Sequence, residues 1–326
     1  MRNYLAQFGC GILAVALSFG SAVVLAQAYP KGPIKMIVPY PPGGQTDVLA
    51  RVIAQKLGDQ LGQPVVVDNR GGAGGMLGSK VAANSAPDGY TLLMSGSGAH
   101  AIAPLMAKES PYDPVQDFTA LSLVSHSPLM LVVNPRINAT TVREFIALAK
   151  QRPGALNYGS FGNGSMAHLA GELLNSMADV KMVHVPYRGE APALTALLGG
   201  EIDMMFASVI TALPYVKSGR LRAVAVSKST RSNTVPDLPA VAETIPGFEA
   251  VSWIGLLGPA GLPKEMVDRL SAEMVAILRD PAVRERLETT GAEPVGSDAA
   301  TFAAFIKQER TRWESVVKAV GLYRSQ

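Results

Sequence analysis

Short apolar runs alternate along the chain with longer segments whose apolar residues recur at helical spacing. In the first half, three β-prone runs occupy residues 35–39, 64–67 and 90–94. The segment after the first run is predicted to be a helix, capped by Thr46 or Asp47 and ended by Gly62. This alternation predicts an α/β protein with a mostly parallel sheet and helices on both faces.

The same order of strand, glycine-rich loop and helix returns in the second half of the chain. Strands are expected at residues 156–158, 182–185, 202–206 and 221–226. Helices are expected at residues 166–177, with Ser165 as the cap, and at residues 191–198. The pattern therefore predicts a second α/β unit, although no close sequence repeat relates the two halves.

Two β-prone stretches, residues 121–133 and 251–257, interrupt the alternation. We interpret them as two strands that cross between two lobes. Three C-terminal helices, expected at residues 264–278, 281–290 and 298–319, would pack back on the first lobe. The predicted organisation is a lobe 1 of residues 29–126 plus 254–326 and a lobe 2 of residues 127–253.

The first 28 residues have a different character from the rest. Arg2 gives a positively charged start, residues 11–25 are almost entirely apolar or small, and Ala26-Gln-Ala28 closes the stretch. This pattern is typical of a secretory signal peptide, so residues 1–28 are predicted to direct export out of the cytosol. A membrane anchor is the alternative, but the apolar run is shorter than the roughly 20 residues of a spanning helix.

Composition narrows the classes of function. Cys10 is the only cysteine and lies in the predicted leader, so the exported chain is expected to have no disulfide and no cysteine-based site. Hydrophobic residues make up 48% of the chain, which is enough for a core without cross-links. The formal net charge of +3 is spread along the sequence rather than clustered, so no nucleic-acid partner is expected.

Candidate chemistry begins at residues 39–47, where a strand ends, two glycines turn the chain and a helix starts. Free N–H groups at a helix start favour an anion, and glycine lets a ligand reach the backbone. Tyr40 could cover such a ligand, whereas Asp47 is interpreted as a cap or loop organiser that accepts backbone N–H groups. A plain strand–helix turn is the alternative.

Two further loops have similar character. Residues 158–168 offer the hydroxyls of Ser160 and Ser165, with His168 one turn inside the following helix. Residues 185–190 could bring Tyr187 to the same cleft, together with an arginine. The alternatives are a packed or capping histidine and an ordinary exposed arginine.

The sequence offers little support for catalysis or for a bound cofactor. It contains no Gly-x-Ser-x-Gly motif, and its four histidines lack a spacing typical of metal ligands. Residues 96–101 and 162–167 fit a dinucleotide-binding fingerprint only weakly, and an exported protein would rarely meet such a cofactor. No metal and no cofactor are therefore expected.

These motifs together resemble the Bug family, the periplasmic substrate-binding receptors of tripartite tricarboxylate transporters. Residues 39–51, Pro-Tyr-Pro-Pro-Gly-Gly-Gln-Thr-Asp-Val-Leu-Ala-Arg, are similar to its opening motif. Later landmarks that match are residues 69–75, 88–93, 158–160, 171–173, 184–189, 199–203, 231–232, 236–239, 253 and 258–261. The resemblance implies a type II periplasmic-binding-protein fold, with two doubly wound lobes joined by two crossing strands.

The resemblance also implies a ligand site between the lobes. Members of the family hold a carboxylate with backbone N–H groups and hydroxyls, without an obligatory salt bridge. Carried over by position, the ligand contacts would be Tyr40, Gly44, Thr46, Asp47, Ser95, Gly96, Ser97, Ser160, Ser165, Tyr187 and Asp203. His168 matches a histidine that is often found at its position in the family.

The expected function is that of a periplasmic receptor, not an enzyme. It would capture a small mono- or dicarboxylic acid as a monomer and present it to the membrane subunits of a transporter. A sensor that passes ligand occupancy to a membrane kinase is one alternative, and a secreted hydrolase is another. The hydrolase would need a nucleophile and a base within hydrogen-bond reach of each other.

Overall fold

The structure is a computed structural model that describes residues 29–325, so the predicted signal peptide lies outside the described residues. The strands are β1 (Ile34–Val38), β2 (Val65–Asn69), β3 (Thr91–Gly96), β4 (Phe118–Val133), β5 (Asn157–Ser160), β6 (Val183–Pro186), β7 (Met204–Ser208), β8 (Arg222–Val226), β9 (Val251–Pro259) and β10 (Glu293–Pro294). The helices are α1 (Gln45–Leu61), α2 (Met76–Ala83), α3 (Ala103–Met106), α4 (Val142–Gln151), α5 (Met166–Ala178), α6 (Glu190–Gly199), α7 (Val209–Lys217), α8 (Lys264–Arg279), α9 (Pro281–Glu288) and α10 (Ala299–Ala319).

One curled sheet runs through the molecule in the order β2-β1-β3-β9-β4-β7-β5-β6, and β10 and β8 both pair with β4. Parallel pairs form at both ends, where β1 lies between β2 and β3 and β5 lies between β6 and β7. The central strands β9 and β4 are antiparallel to their neighbours. This is the mixed α/β architecture that the alternating pattern predicts.

Strand β4 divides the sheet into two parts. Its residues 118–128 pair with β9, whereas its residues 129–133 pair with β7, and β8 pairs along the same part. We call β2, β1, β3, β9, β10 and residues 118–128 the first half-sheet, and β7, β8, β5, β6 and residues 129–133 the second half-sheet. The predicted lobe boundaries lie near these changes of partner and stay a prediction.

Strand β1, the middle strand of the first parallel set, is buried on both faces except at Lys35, as expected of a parallel strand under helices. On β1, Ile34, Met36 and Val38 pack with α1 and α8 in one apolar cluster. Ile37 points the other way and belongs to a second cluster. The core therefore holds the carboxyl end of β1, and the loop that follows it, in a fixed position.

One prediction about helix α1 needs correction. Helix α1 begins at Gln45 with Gly44 as its N-cap, so neither Thr46 nor Asp47 caps it. Glycine leaves the first turn open because it has no side chain to accept a hydrogen bond. The predicted end is right, since Gly62 adopts the left-handed conformation with φ of 68°.

Among residues 29–325, none of the helices combines the length and the apolar character that a membrane span needs.

Candidate functional site

A cleft opens between the two half-sheets at the carboxyl ends of their parallel strands. The empty space between its walls is about 800 Å³, including the open solvent at its entrance. The first half-sheet contributes the loop of residues 40–47, together with Gly96 and Gly98. The second half-sheet contributes residues 161–166 and 188–192. The cleft is therefore built from the loops that the sequence singled out.

Four helices begin at this cleft. The N-caps of α1, α5, α6 and α7 are Gly44, Ser165, Gly189 and Ser208, and all four residues line it. The N–H groups of a first helical turn have no partner within the helix, and the helix dipole adds partial positive charge there. Helix starts from both half-sheets thus point donors into one space, which is an arrangement suited to an anion.

Asp47 fixes the conformation of the loop after β1 through hydrogen bonds. Its carboxylate accepts hydrogen bonds from the N–H of Gly43 at 3.0 Å, from Asn69 Nδ2 at 3.0 Å and from Arg51 Nε at 3.1 Å. Burial alone would raise the pKa of Asp47, but the hydrogen bonds from Arg51, Gly43 and Asn69 outweigh it and lower the pKa. Asp47 therefore organises the loop, as the sequence suggested, and its charge is already compensated.

Tyr40 lies between this loop and the segment after β3. Its Oη accepts a hydrogen bond from the N–H of Ala99 at 3.0 Å. Burial raises the pKa of Tyr40 to about 12, so the phenol is neutral. The backbone passes so close that a Cβ on Gly98 would lie 2.9 Å from Tyr40 Oη. Tyr40 thus forms a rigid part of the cleft wall, and glycine is needed beside it.

Serine and histidine side chains shape the loop after β5. Ser160 Oγ lies 2.6 Å from His184 Nε2 and also accepts from the N–H of Gly162 at 3.2 Å. The rings of His168 and His184 stack with centroids 3.8 Å apart. Burial lowers the pKa of His168 to about 4; burial and the neighbouring His168 lower that of His184 to about 3. Both rings are therefore neutral at pH 7.

Ser160 and His184 form a hydroxyl–imidazole pair at the distance that a hydrolase would need. However, Ser160 is fully buried and its Oγ is engaged by the loop backbone through Gly162. Neither residue lines the cleft. A substrate in the cleft therefore has no access to this pair, which instead fixes the loop.

Ser165 brings a hydroxyl group of this loop to the cleft. Its Oγ accepts a hydrogen bond from the N–H of His168 at 3.3 Å and so caps α5, as the sequence predicted. The same hydroxyl carries a proton that can be donated to a ligand. His168 itself is buried, and its Nδ1 accepts from the N–H of Gly164 at 3.3 Å. The position of His168 favours support of the loop over direct contact.

The structure brings only some of the predicted contact residues together. Those that line the cleft are Tyr40, Gly44, Thr46, Asp47, Gly96 and Ser165. Ser95 is fully buried and its Oγ has no hydrogen-bond partner among the described residues. Ser97 Oγ lies 3.0 Å from Ser252 Oγ and links the two segments. Tyr187 lines a groove next to the cleft, which also borders residues 71–76.

Asp203 lies away from the cleft, and its expected role as a ligand contact is not supported by its position. It precedes β7, whereas the cleft lies at Ser208, the opposite end of that strand. Its carboxylate accepts from Arg136 at 2.8 Å and from the N–H of Asn157 at 2.8 Å. Asp203 therefore connects the amino ends of β5 and β7.

Several residues that line the cleft escaped the sequence analysis. Glu190, Ser208 and Ser252 supply polar groups. The apolar part of the lining comes from Pro41, Pro42, Leu129, Phe161, Met166, Ala191, Pro192 and Ile254. The sequence did carry a signal for Ser208, because it lies at the end of a buried strand, but helix α7 after it was not predicted.

Comparison with known proteins gives consistent matches along the whole described chain. The family model described as "Tripartite tricarboxylate transporter family receptor" matches residues 49–322. Protein BugT of Bordetella pertussis is 39% identical over 323 residues, covering 98% of this chain and 98% of BugT. These matches confirm the resemblance that the motifs indicated.

Solved structures match equally well. An R. palustris protein solved with adipate has a TM-score of 0.87 at 35% identity and covers 90% of this chain and 98% of its own. The periplasmic binding protein BugD has a TM-score of 0.85 at 34% identity, covering 90% and 99%. MatC from Rhodopseudomonas palustris, with bound malate, has a TM-score of 0.83 at 33% identity, covering 89% and 100%. The predicted periplasmic-binding-protein fold is thereby confirmed.

Proposed function

Because the chain belongs to the receptor family of tripartite tricarboxylate transporters, we propose that it captures a small carboxylate in the periplasm and presents it to the membrane subunits of such a transporter. The observation that carries the proposal is the convergence of four helix starts on one cleft. The relatives solved with adipate and with malate support a carboxylate as the ligand class.

The ligand carboxylate would be held mainly by neutral groups, with Arg188 as a cation in the same cleft wall. The open first turn of α1 offers backbone N–H groups beside Gly44, and Ser165 adds a hydroxyl from the second half-sheet. Hydrogen bonds to a charged acceptor are each worth about 1.5–3 kcal/mol, so two or three of them suffice for micromolar binding together with apolar contacts. Leu129, Phe161 and Ile254 would pack on the ligand's carbon chain.

Capture would proceed by closure of the cleft. A ligand that contacts α1 and α5 together touches both half-sheets, so it binds the closed arrangement better than an open one. Such a ligand stabilises closure by the difference in affinity between the two arrangements. Small-angle scattering should then show a smaller radius of gyration with saturating ligand.

Calorimetry with a panel of mono- and dicarboxylates tests the binding step, and an NMR time course of the bound acid tests for turnover. We expect at least one acid to bind and to be recovered unchanged. Steady conversion to a product would favour the hydrolase alternative. Uptake of the labelled acid by cells that lack the protein tests the transport step, since a sensor would leave uptake by the existing transporter intact.

A further inference from the structure

Glu190 places a carboxylate in the wall of a cleft built to receive a carboxylate. It begins α6, its exposed fraction is only 8%, and it lines the cleft. Its Oε1 accepts from the N–H of Ser208 at 2.6 Å and from Thr211 Oγ1 at 2.7 Å. Its Oε2 accepts from Ser208 Oγ at 2.9 Å. The chain therefore supplies its own anion to the start of α7.

This carboxylate differs from Asp47, the other acid in the cleft wall. Asp47 is paired with Arg51, whereas the groups that hold Glu190 are one amide and two hydroxyls. Burial raises the pKa of Glu190, while hydrogen bonds from Thr211 and Ser208 oppose the rise. Three donors at the start of a helix are the surroundings of an ionised carboxylate. Among the described residues no cation pairs with Glu190, and the cation that shares the cleft wall is Arg188, two positions earlier.

The two oxygens of Glu190 are not equally occupied. Oε1 accepts two hydrogen bonds, but Oε2 accepts one. A carboxylate oxygen can accept about two, so Oε2 retains capacity for a donor from a ligand. A hydroxyl, an amide N–H or an ammonium group could use that capacity. A second ligand carboxylate could not, and it would lie near a like charge in a partly desolvated space.

We propose that Glu190 is a specificity-determining residue that makes the cleft prefer acids with one carboxylate and a hydrogen-bond donor at the other end over dicarboxylates. The inference rests on the proposed function, because it assumes that the ligand's first carboxylate binds at the starts of α1 and α5. Its second end would then meet α6 and α7, where Glu190 already provides the negative charge.

Matched acids test the proposal. Adipate, its monoamide and 6-aminohexanoate share one chain length, as do succinate, its monoamide and 4-aminobutyrate. Calorimetry with the wild-type protein should show that a donor-ended acid binds at least ~10-fold more tightly than its dicarboxylate, about 1.4 kcal/mol. Glu190→Gln keeps the shape and removes the charge, so it should tighten dicarboxylate binding by ~10-fold or more and reduce the preference.

Glu201→Gln is the matched control, because Glu201 is exposed and lies outside the cleft while the change in net charge is the same. It should leave all affinities unchanged. A wild-type protein that binds a dicarboxylate at least as tightly as its monoamide would overturn the role of Glu190, and this comparison needs no variant. If none of the acids bound, the proposed function itself would fail, which is a different result.

Discussion

Replacing Gly44 with valine tests the loop after β1 without disturbing the fold. Gly44 is the N-cap of α1 with φ of −80° and ψ of 167°, a conformation that any residue adopts. No heavy atom of the protein lies within 4 Å of the position that a Cβ would take. The valine side chain would therefore enter the open space of the cleft rather than the core.

The space beside Gly44 is where a ligand carboxylate would meet the N–H groups of α1, so a side chain there should weaken binding. Valine would keep a ligand carboxylate from the N–H groups of the first turn of α1, where it should lose at least one hydrogen bond. The loss of one bond to a charged acceptor amounts to about 1.5–3 kcal/mol, so we expect Gly44→Val to weaken binding at least ~10-fold. Helix stability should fall by about 1 kcal/mol, since valine is a poor N-cap.

Calorimetry with the best-bound acid measures the first effect, and urea unfolding measures the second. Gly32→Val is a matched control, because a Cβ there also meets nothing within 4 Å and Gly32 does not line the cleft. It should bind like the wild type. A folded Gly44→Val protein with wild-type affinity would show that this loop does not hold the ligand.

Four further substitutions or conditions test other parts of the structure. Ser165→Ala should weaken binding by about 0.5–1.5 kcal/mol in calorimetry and also destabilise α5, whose cap it removes. Because burial lowers the pKa of His100, His168 and His184, the unfolded chain binds more protons than the folded one below about pH 6.5. Stability from these groups is complete above that pH and should fall by ~4–6 kcal/mol between pH 7.5 and pH 5, as urea titrations can measure. Glu309→Leu should lower the free energy of unfolding by about 2–4 kcal/mol, since that carboxylate accepts hydrogen bonds from two buried indole N–H groups. Ser95→Ala should leave ligand affinity unchanged in calorimetry and keep or raise the melting temperature, because the buried hydroxyl has no partner.

The architecture could be predicted largely from local signals. Buried strands, glycine turns and helical spacing located most elements, because each depends on residues that are neighbours in the chain. The Thr141-x-x-Glu144 capping box of α4 was also a local signal, and it was overlooked. Helix α7 was harder to predict, since it is short and contains Pro214.

The finer chemistry of the cleft depends on residues far apart in sequence. The sequence alone could not show that Asp203 lies away from the cleft, because its carboxylate is held by Arg136, 67 residues earlier. Burial of Ser95 depends on how β3 and β9 pair. The role of Glu190 appears only when Ser208, 18 residues later, is brought against it. Such pairings depend on the topology of the chain. The sequence pattern predicts this topology in outline but gives no distances between side chains.

Close contacts in the groove beside the cleft explain why glycine recurs in the loops on both sides. A Cβ on Gly74 would lie 2.5 Å from the carbonyl oxygen of Asn163, and a Cβ on Gly164 would lie 2.8 Å from Cα of Ala103. Each pair joins a segment next to the first half-sheet with a loop of the second. Any side chain there would push the two loops apart, so glycine is needed for their contact.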